Sequence, residues 1–362
     1  PQEFGGGRII LTGSIEDPVR IAVVGAGGIG QRHLEAMSGV DACQSVAVVD
    51  PSDAGAAIAD KWSVPHFTDI ERMLDDVRPQ GVINATPNAL HLPLTLPCIE
   101  RGIPVLVEKP VADNLEAACE LADASEAAGV PVLVGHHRRH NPIVAKAHEM
   151  VQSGILGQLK AISANWLALK PDDYFDIAWR REPGGGPALI NLIHDIDSLR
   201  FIAGDIVAVQ GMTSNAQRGY VVEDTAAILL RFANGALATV MLSDTVAAPW
   251  SWELTSGEIT SRVYPQTGQD CYFFAGTEAS LAVPSLRLWR HEGAQSWESP
   301  LPEESFAVEN VDPIHLQARH FADVIRGEVE PLITARDAAR TLEATLAIVQ
   351  AANTSSEVEL SG

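Results

Sequence analysis

The chain has 362 residues, too many for one compact core, so two domains are expected. Hydrophobic residues at 46% and charged residues at 20% are ordinary for a soluble globular protein, and a formal charge of −22 argues against nucleic acid or an anionic membrane as partner. The four cysteines, Cys43, Cys98, Cys119 and Cys271, form no CxxC pair, so neither a zinc site nor a disulfide framework is indicated, and reduced thiols in a cytoplasm are expected.

Residues 1–18 contain Gly5-Gly6-Gly7 but no charged n-region and no apolar h-region. They read as an extension of the kind expression leaves behind, outside the fold, and not as a signal peptide. No later run approaches the roughly 20 apolar residues of a membrane span. The chain then passes from an apolar run, Ile21-Ala22-Val23-Val24, into Gly25-Ala26-Gly27-Gly28-Ile29-Gly30 and on to Gln31-Arg32-His33-Leu34. This pattern predicts a strand, a glycine turn and a helix. Gly25 permits the sharp turn, Gly27 lets the backbone approach a pyrophosphate, and Gly30 allows close packing of helix on strand. The helix N-terminus supplies N–H groups and a positive dipole end. The next apolar run, Val46-Ala47-Val48-Val49, ends in Asp50, about 20 residues past the last glycine, where the ribose-binding acid belongs. A carboxylate there accepts bonds from both ribose hydroxyls and repels a 2′-phosphate, so NAD is expected in preference to NADP.

From Arg20 to Gly135 short apolar runs alternate with helical patterns, which predicts βαβ units and a doubly wound parallel sheet of six strands. Helices are expected at Asp53 to Lys61, at Asp69 to Val77, at Leu90 to Arg101 with interruptions at Pro93 and Pro97, and at Asn114 to Ala128. Strands are expected at Val82 to Ala85, Val105 to Val107 and Val132 to Val134. Ligands bind beyond the carboxyl ends of such strands, so Thr86-Pro87-Asn88, Glu108-Lys109-Pro110 and His136-His137-Arg138-Arg139-His140 should open onto one crevice. Lys109, at the end of a buried strand, is where desolvation would bring an amine into a useful pKa range.

After Pro142 the pattern changes. A helix from Ile143 to Ser153, a strand from Leu159 to Leu169, an irregular stretch to Pro187 and a helix from Ala188 to Ala203 are expected. Strands follow at Val207 to Thr213, Thr225 to Phe232, Ala236 to Ser243, Trp252 to Thr255, Cys271 to Ala275, Ser280 to Val283 and Leu286 to Arg290, with Asn234-Gly235 as a hairpin turn. Helices at Pro313 to Arg326 and Ala335 to Ala352 close the chain. The division is a dinucleotide-binding domain at 19–140 and, at 141–362, an α+β domain built on a large, mainly antiparallel, open-faced sheet, with the C-terminal helix packing back near the first domain.

Taken together these motifs resemble the glucose-fructose oxidoreductase and inositol dehydrogenase (Gfo/Idh/MocA) family of nicotinamide-dependent oxidoreductases, over nearly the whole chain from Val19 onward. The resemblance rests on the glycine loop with His33, on Ala85-Thr86-Pro87-Asn88 with His91, on Glu108-Lys109-Pro110, on Gly184-Gly185-Gly186 ahead of His194, and on Gly276-Thr277-Glu278-Ala279-Ser280-Leu281. It implies NAD bound by Gly25, Gly27, Gly28, Ile29, Gly30, Asp50, Thr86, Pro87, Asn88, His91, Glu108 and Lys109. It also implies Lys109 and His194 as catalytic residues acting on a secondary hydroxyl of a sugar, cyclitol or related polyol, or of a polyol acid, in a homodimer or homotetramer. Many family members carry an Asp four residues before this histidine. Here that position is Ile190, which leaves Asn191, Asp195 or Asp197 to orient His194.

For substrate the candidates are His137, His140, Trp179, Arg180, Asn191, Asp197 and His194, with Trp166, Lys170, Asp172 and Tyr174 as a wall around the triple glycine. A sugar ring offers one apolar face to an aromatic and hydroxyls to charged groups. No metal is expected, since hydride transfer beside a lysine needs no Lewis acid. Two other readings stay open: a glycosidase that transiently oxidises its substrate with tightly held NAD, and a non-catalytic sensor of NAD or sugar.

Overall fold

The computed structural model describes residues 17–258 and 264–361, and all but the last two residues of the N-terminal extension lie outside them. Six strands, β1 (Val19–Val24), β2 (Cys43–Val49), β3 (His66–Phe67), β4 (Gly81–Asn84), β5 (Val105–Val107) and β6 (Val132–Val134), form one sheet in the order β3-β2-β1-β4-β5-β6, every pair parallel. Their near-continuous Val, Ile and Leu content fits a sheet covered on both faces. The crossovers are α1 (Gly28–Ser38), α2 (Asp53–Trp62), α3 (Ile70–Val77), α4 (His91–Glu100) and α5 (Leu115–Ala128). Side chains of Ser52, Asp69 and Asn114 accept N–H bonds at the starts of α2, α3 and α5, fixing where each begins. The strand order reverses between β1 and β4, so a crevice opens above their carboxyl ends. β3 has only two residues, too few for any periodicity to reveal it. α4 runs on through Pro93 and Pro97 where interruptions were expected. Pro93 sits in the first turn, whose N–H groups have no intrahelical partner, and Pro97 removes a single bond.

The second half contains α6 (Pro142–Gln152), β7 (Leu159–Leu169), α7 (Ile193–Ala203), β8 (Ile206–Ser214), β9 (Thr225–Phe232), β10 (Leu237–Ser243), β11 (Thr245–Trp250), the single turn α8 (Trp252–Thr255), β12 (Tyr272–Gly276), β13 (Ala279–Val283), β14 (Arg287–Arg290), β15 (Glu303–Ser305), α9 (Pro313–Arg326), α10 (Ala335–Thr354) and β16 (Val358–Glu359). Nine of the ten strands run β15-β14-β13-β12-β7-β10-β9-β8-β16 with β11 beside β7, and only β7 with β10 pair in parallel. Trp252 to Thr255 is helical and not a strand. β12 already occupies the place beside β7, and the Trp252 indole turns inward to stack on Tyr272.

Along β9 the residues Ala226, Ile228, Leu230 and Phe232 are buried in a core shared with α6, α7 and α10, while alternate side chains of the sheet, Leu229, Leu237, Met241 and Phe273, are exposed on the uncovered face. α10 contributes Ala338 and Leu342 to the core around the first sheet and Ala344 and Ile348 to the core around the second. Among the described residues no helix is long and apolar enough to cross a membrane.

Candidate active site

The glycine loop has the shape its sequence requires. Gly25 sits at φ +90°, and a methyl group on it would run into the Ala85 carbonyl; a methyl on Gly30 would run into the Gly25 carbonyl. Around Gly27 and Gly28 there is open space, Ile29 is partly exposed beside them, and α1 begins at Gly28 with no side chain capping it. The unclaimed N–H groups of that first turn face the opening, which fits a pyrophosphate. Asp50 stands at the rim. Its Oδ2 accepts the Ala26 N–H at 2.8 Å, and Oδ1 accepts the Ser52 N–H at 2.9 Å and the Ser52 hydroxyl at 2.5 Å. Partial burial would raise this carboxyl, but the Ser52 and Ala26 bonds hold it below the usual carboxylate range, so it is a fixed anion.

Two buried histidines brace the loops behind the crevice. His91 is fully buried, with Nδ1 2.9 Å from the Pro110 carbonyl and Nε2 2.9 Å from the Thr86 carbonyl. It therefore ties the loop after β4 to the loop after β5, and the expectation that it touches cofactor is corrected: both ring nitrogens are already engaged. Glu108 is likewise committed. Its Oε1 lies 2.7 Å from His33 Nε2, and Oε2 accepts the Lys109 N–H at 3.1 Å. Burial opposes its charge, but His33 and Lys109 keep its pKa low. Glu108 thus fastens the β5 loop to the phosphate helix. Thr86 donates from its hydroxyl to Asn84 Oδ1 at 2.7 Å, leaving Pro87 and Asn88 at the lip of the crevice.

Lys109 points across this crevice. Its Nζ donates to the Ile190 carbonyl at 3.1 Å. Desolvation, opposed by Glu108 and helped by Arg138 and Lys170, brings its pKa from 10.5 down to about 8. The acceptor lies in one turn of π-helix, Ala188–Leu192, which leads directly into α7. Such bulges release a carbonyl from the regular α-helical pattern, and here the released carbonyl holds the lysine.

His194, on the first turn of α7, is half-buried. Its Nδ1 is buried with no hydrogen-bond partner among the described residues, and its ring meets His137 at 5.1 Å between centroids and His136 at 6.3 Å. Burial, then the charges of Lys109 and Arg138, push its pKa well below the ordinary value, so it is neutral. None of the carboxylates on its own helix orients it. Asp195 accepts the Tyr272 hydroxyl at 2.5 Å and pairs with Arg138 at 3.2 Å. Asp197 is fully buried, gripped by Arg139 at 2.9 and 2.7 Å and by the Thr341 hydroxyl at 3.0 Å. Asp197 is therefore a structural anion and not a substrate contact. Asn191 is half-buried, with Oδ1 unpaired, and remains available.

The loop after β6 divides its histidines. His137 joins His194, whereas the His140 ring packs on His320 of α9 at 5.0 Å and burial takes its pKa down to about 3. In the segment before the triple glycine, the Arg180 guanidinium lies 4.0 Å over Tyr174 and Trp179 is exposed. Trp166 is buried and donates to Glu253 at 3.0 Å; the Lys170 ammonium is enclosed by the rings of Tyr174, Trp166 and Phe175, and Asp172 is exposed. Trp166 and Lys170 thus form a layer behind the surface.

Three groups had no functional signal in the sequence. Arg138 is buried between Asp195 and Glu253, 2.8 Å from the latter; Glu253 lies on α8; and Glu258 lies 3.2 Å from His137. Arg138 was legible only as part of a histidine-rich loop, and the two glutamates sit in a segment with no recognisable motif.

A family model described as an oxidoreductase family with an NAD-binding Rossmann fold matches residues 19–136, and one for the GFO/IDH/MocA C-terminal domain matches 144–281. An inositol 2-dehydrogenase of Rubrobacter xylanophilus is 33% identical over 231 residues, 61% of this chain and 64% of that protein, a little under two thirds of its length. The scyllo-inositol 2-dehydrogenase (NAD(+)) of Bacillus subtilis is 26% identical over 96% of this chain and 97% of that one. Among solved structures, a protein of Desulfitobacterium hafniense DCB-2 described as an NADPH-dependent oxidoreductase shares the fold with a TM-score of 0.80 at 21% identity, covering 95% of this chain and 98% of that one.

Proposed function

Because the chain belongs to the Gfo/Idh/MocA oxidoreductase family, we propose that it is an NAD-dependent dehydrogenase acting on a secondary hydroxyl of a sugar, cyclitol or related polyol. The observation that carries this reading is Lys109: an amine with its pKa near 8, held by a backbone carbonyl opposite a neutral histidine, at the mouth of a crevice whose far end is an open glycine loop. Gly27, Gly28, Ile29 and the first turn of α1 would hold the pyrophosphate, Asp50 the adenosine ribose, and Thr86, Pro87 and Asn88 the nicotinamide half. When bound, the nicotinamide accepts or returns the hydride. Lys109 and His194 hydrogen-bond the reacting hydroxyl, take its proton during oxidation and return it during reduction. His137, Asn191, Trp179 and Arg180 face the rest of the polyol. The fixed Asp50 anion supports NAD over NADP, since a 2′-phosphate would stand against it.

The test is NADH absorbance with NAD and a panel of inositols, aldoses, alditols and polyhydroxylated acids, with Lys109→Ala alongside. Turnover on one group, lost in the variant, is expected. Silence across the panel with NAD still bound would shift the reading to a sensor, which the apolar Ile190 beside an unoriented His194 favours as second choice. The exposed Leu229, Leu237, Met241 and Phe273 give the uncovered sheet face the character of a surface that pairs with another copy. Sedimentation at assay concentration should show a species above 38.6 kDa, and a monomer there would refute the pairing.

A further inference from the structure

His194 has no carboxylate of its own, yet a histidine that does have one packs edge-on against it. His137 Nε2 lies 3.2 Å from Glu258 Oε1, and the two rings meet at 5.1 Å with 64° between their planes. Glu258 is a prepared acceptor. Its other oxygen takes N–H bonds from Trp252 at 3.0 Å and Asn141 at 2.8 Å, and its pKa is about 2, because His137 and Arg138 outweigh the cost of burying its charge. An ionised carboxylate can only accept, so Nε2 of His137 carries the hydrogen and the lone pair is left on Nδ1. Glu108 at the end of β5, a second carboxylate that His137 influences, is committed to His33. Arg138 on the same loop offers no acceptor, and the neutral His140 ring is packed on His320.

Resting on the dehydrogenase reading above, the geometry points to His137, backed by Glu258, as the outlet by which the substrate's hydroxyl proton leaves the site. His194 is buried at its Nδ1, and an imidazolium there would face Lys109 and Arg138. It is a poor place for a proton to stay. The His137 side chain is 21% exposed, and its positive form would sit on a carboxylate. In the transfer one N–H bond breaks at His194 and one forms at Nδ1 of His137. The Nε2–H bond to Glu258 persists throughout, and the imidazolium then gives the proton to water. No electron pair moves outside these N–H bonds, the oxidation itself having been completed by the hydride transfer already described. Glu258 is a positioning residue in this scheme: it fixes the tautomer that keeps Nδ1 open.

The tests are steady-state kinetics of His137→Ala, His137→Gln and Glu258→Gln on whichever alcohol the panel identifies, with NAD binding followed by fluorescence, and 15N NMR of the histidine rings. Both His137 variants should lose on the order of tenfold or more in kcat, with NAD affinity changed less than about threefold, and added imidazole should restore kcat in the alanine variant. In the wild-type spectrum His137 should be the Nε2–H tautomer, and Glu258→Gln should disturb that signature. A kcat within twofold of wild type in both His137 variants, failure of imidazole to restore the alanine variant, or a proton found on Nδ1 would overturn the outlet while leaving the dehydrogenase standing. Wild-type silence on every alcohol would overturn the dehydrogenase reading itself, and the outlet with it.

Discussion

The pKa of Lys109 gives the most direct quantitative handle on the chemistry. A drop from 10.5 to about 8 leaves roughly a quarter of the amine neutral near pH 7.5, against about one part in a thousand for an unshifted lysine. The site thereby gains on the order of 200-fold in proton-accepting form. Oxidation, which needs the neutral amine, should therefore show kcat/KM rising about tenfold per pH unit on the acid side and levelling above about pH 8. Glu108 is the largest charge holding that value up. Losing a unit charge of opposite sign about 6 Å away, the outer limit of strong pKa coupling, is worth about 0.7 kcal/mol at the dielectric of water and about 2.8 kcal/mol at an effective dielectric of about 20. Glu108→Gln should then lower the inflection by roughly 0.5 to 2 pH units. The assay is the pH profile of kcat/KM for both proteins, with NAD affinity as a check on the phosphate helix, because His33 loses its partner. An inflection that stays put or moves upward in the variant would refute the account of Lys109, and so would its survival in Lys109→Ala.

Other consequences are separately measurable. Asp50→Ser removes two charge-assisted ribose bonds, each worth about 1.5 to 3 kcal/mol, so the NAD to NADP ratio of kcat/KM should fall on the order of 100-fold or more; an unchanged ratio would remove Asp50 from cofactor selection. Gly30→Ala puts a methyl into the Gly25 carbonyl and should weaken NAD binding at least tenfold, about 1.4 kcal/mol, as calorimetry would show. Arg139→Leu strands the fully buried Asp197 and should cost about 3 to 5 kcal/mol in urea unfolding, where a loss under 1 kcal/mol would mean that Thr341 alone satisfies that carboxylate.

What the sequence disclosed follows from how locally each feature is determined. The glycine loop, Asp50 and most helices and strands are set by short-range rules of turn geometry, capping side chains and hydrophobic period, and they stand where those rules put them. Trp252 to Thr255 departs from the expected strand because, although Trp252 and Thr255 favour β-structure locally, the conformation is set by Tyr272 and the place already taken by β12, more than fifteen residues away in sequence. The same distance in sequence hid the partners of the polar residues. Asp197 shares a helix face with His194 by spacing, yet Arg139 and Thr341, from two other elements, claim it first. His91 and Glu108 carry family motifs but spend their polar atoms bracing loops.

That pattern bears on what kind of catalyst this is. Around the crevice, Glu108 answers His33, Asp195 answers Arg138 and Tyr272, Asp197 answers Arg139, Glu253 answers Arg138 and Trp166, and Glu258 answers His137. Each carboxylate in this set already has a partner, Asp195 included, although burial raises its pKa to about 6, while the chain as a whole carries a formal charge of −22. The groups left with capacity are nitrogen bases: Lys109, held only by a carbonyl, and His194, with an unpaired Nδ1. Burial lowers the pKa of both, which favours their neutral forms. Neutral nitrogen bases suit a reaction that removes one proton from a hydroxyl while a formally cationic oxidant is bound alongside, because they add no positive charge before the step and accept it only as the hydride leaves. An acid placed at Ile190 would reverse that economy by pinning His194 as a cation. Ile190→Asp should therefore raise the pKa of His194, which an NMR titration of the ring reads directly, and a ring that titrates where it does in the wild type would refute this account of its neutrality.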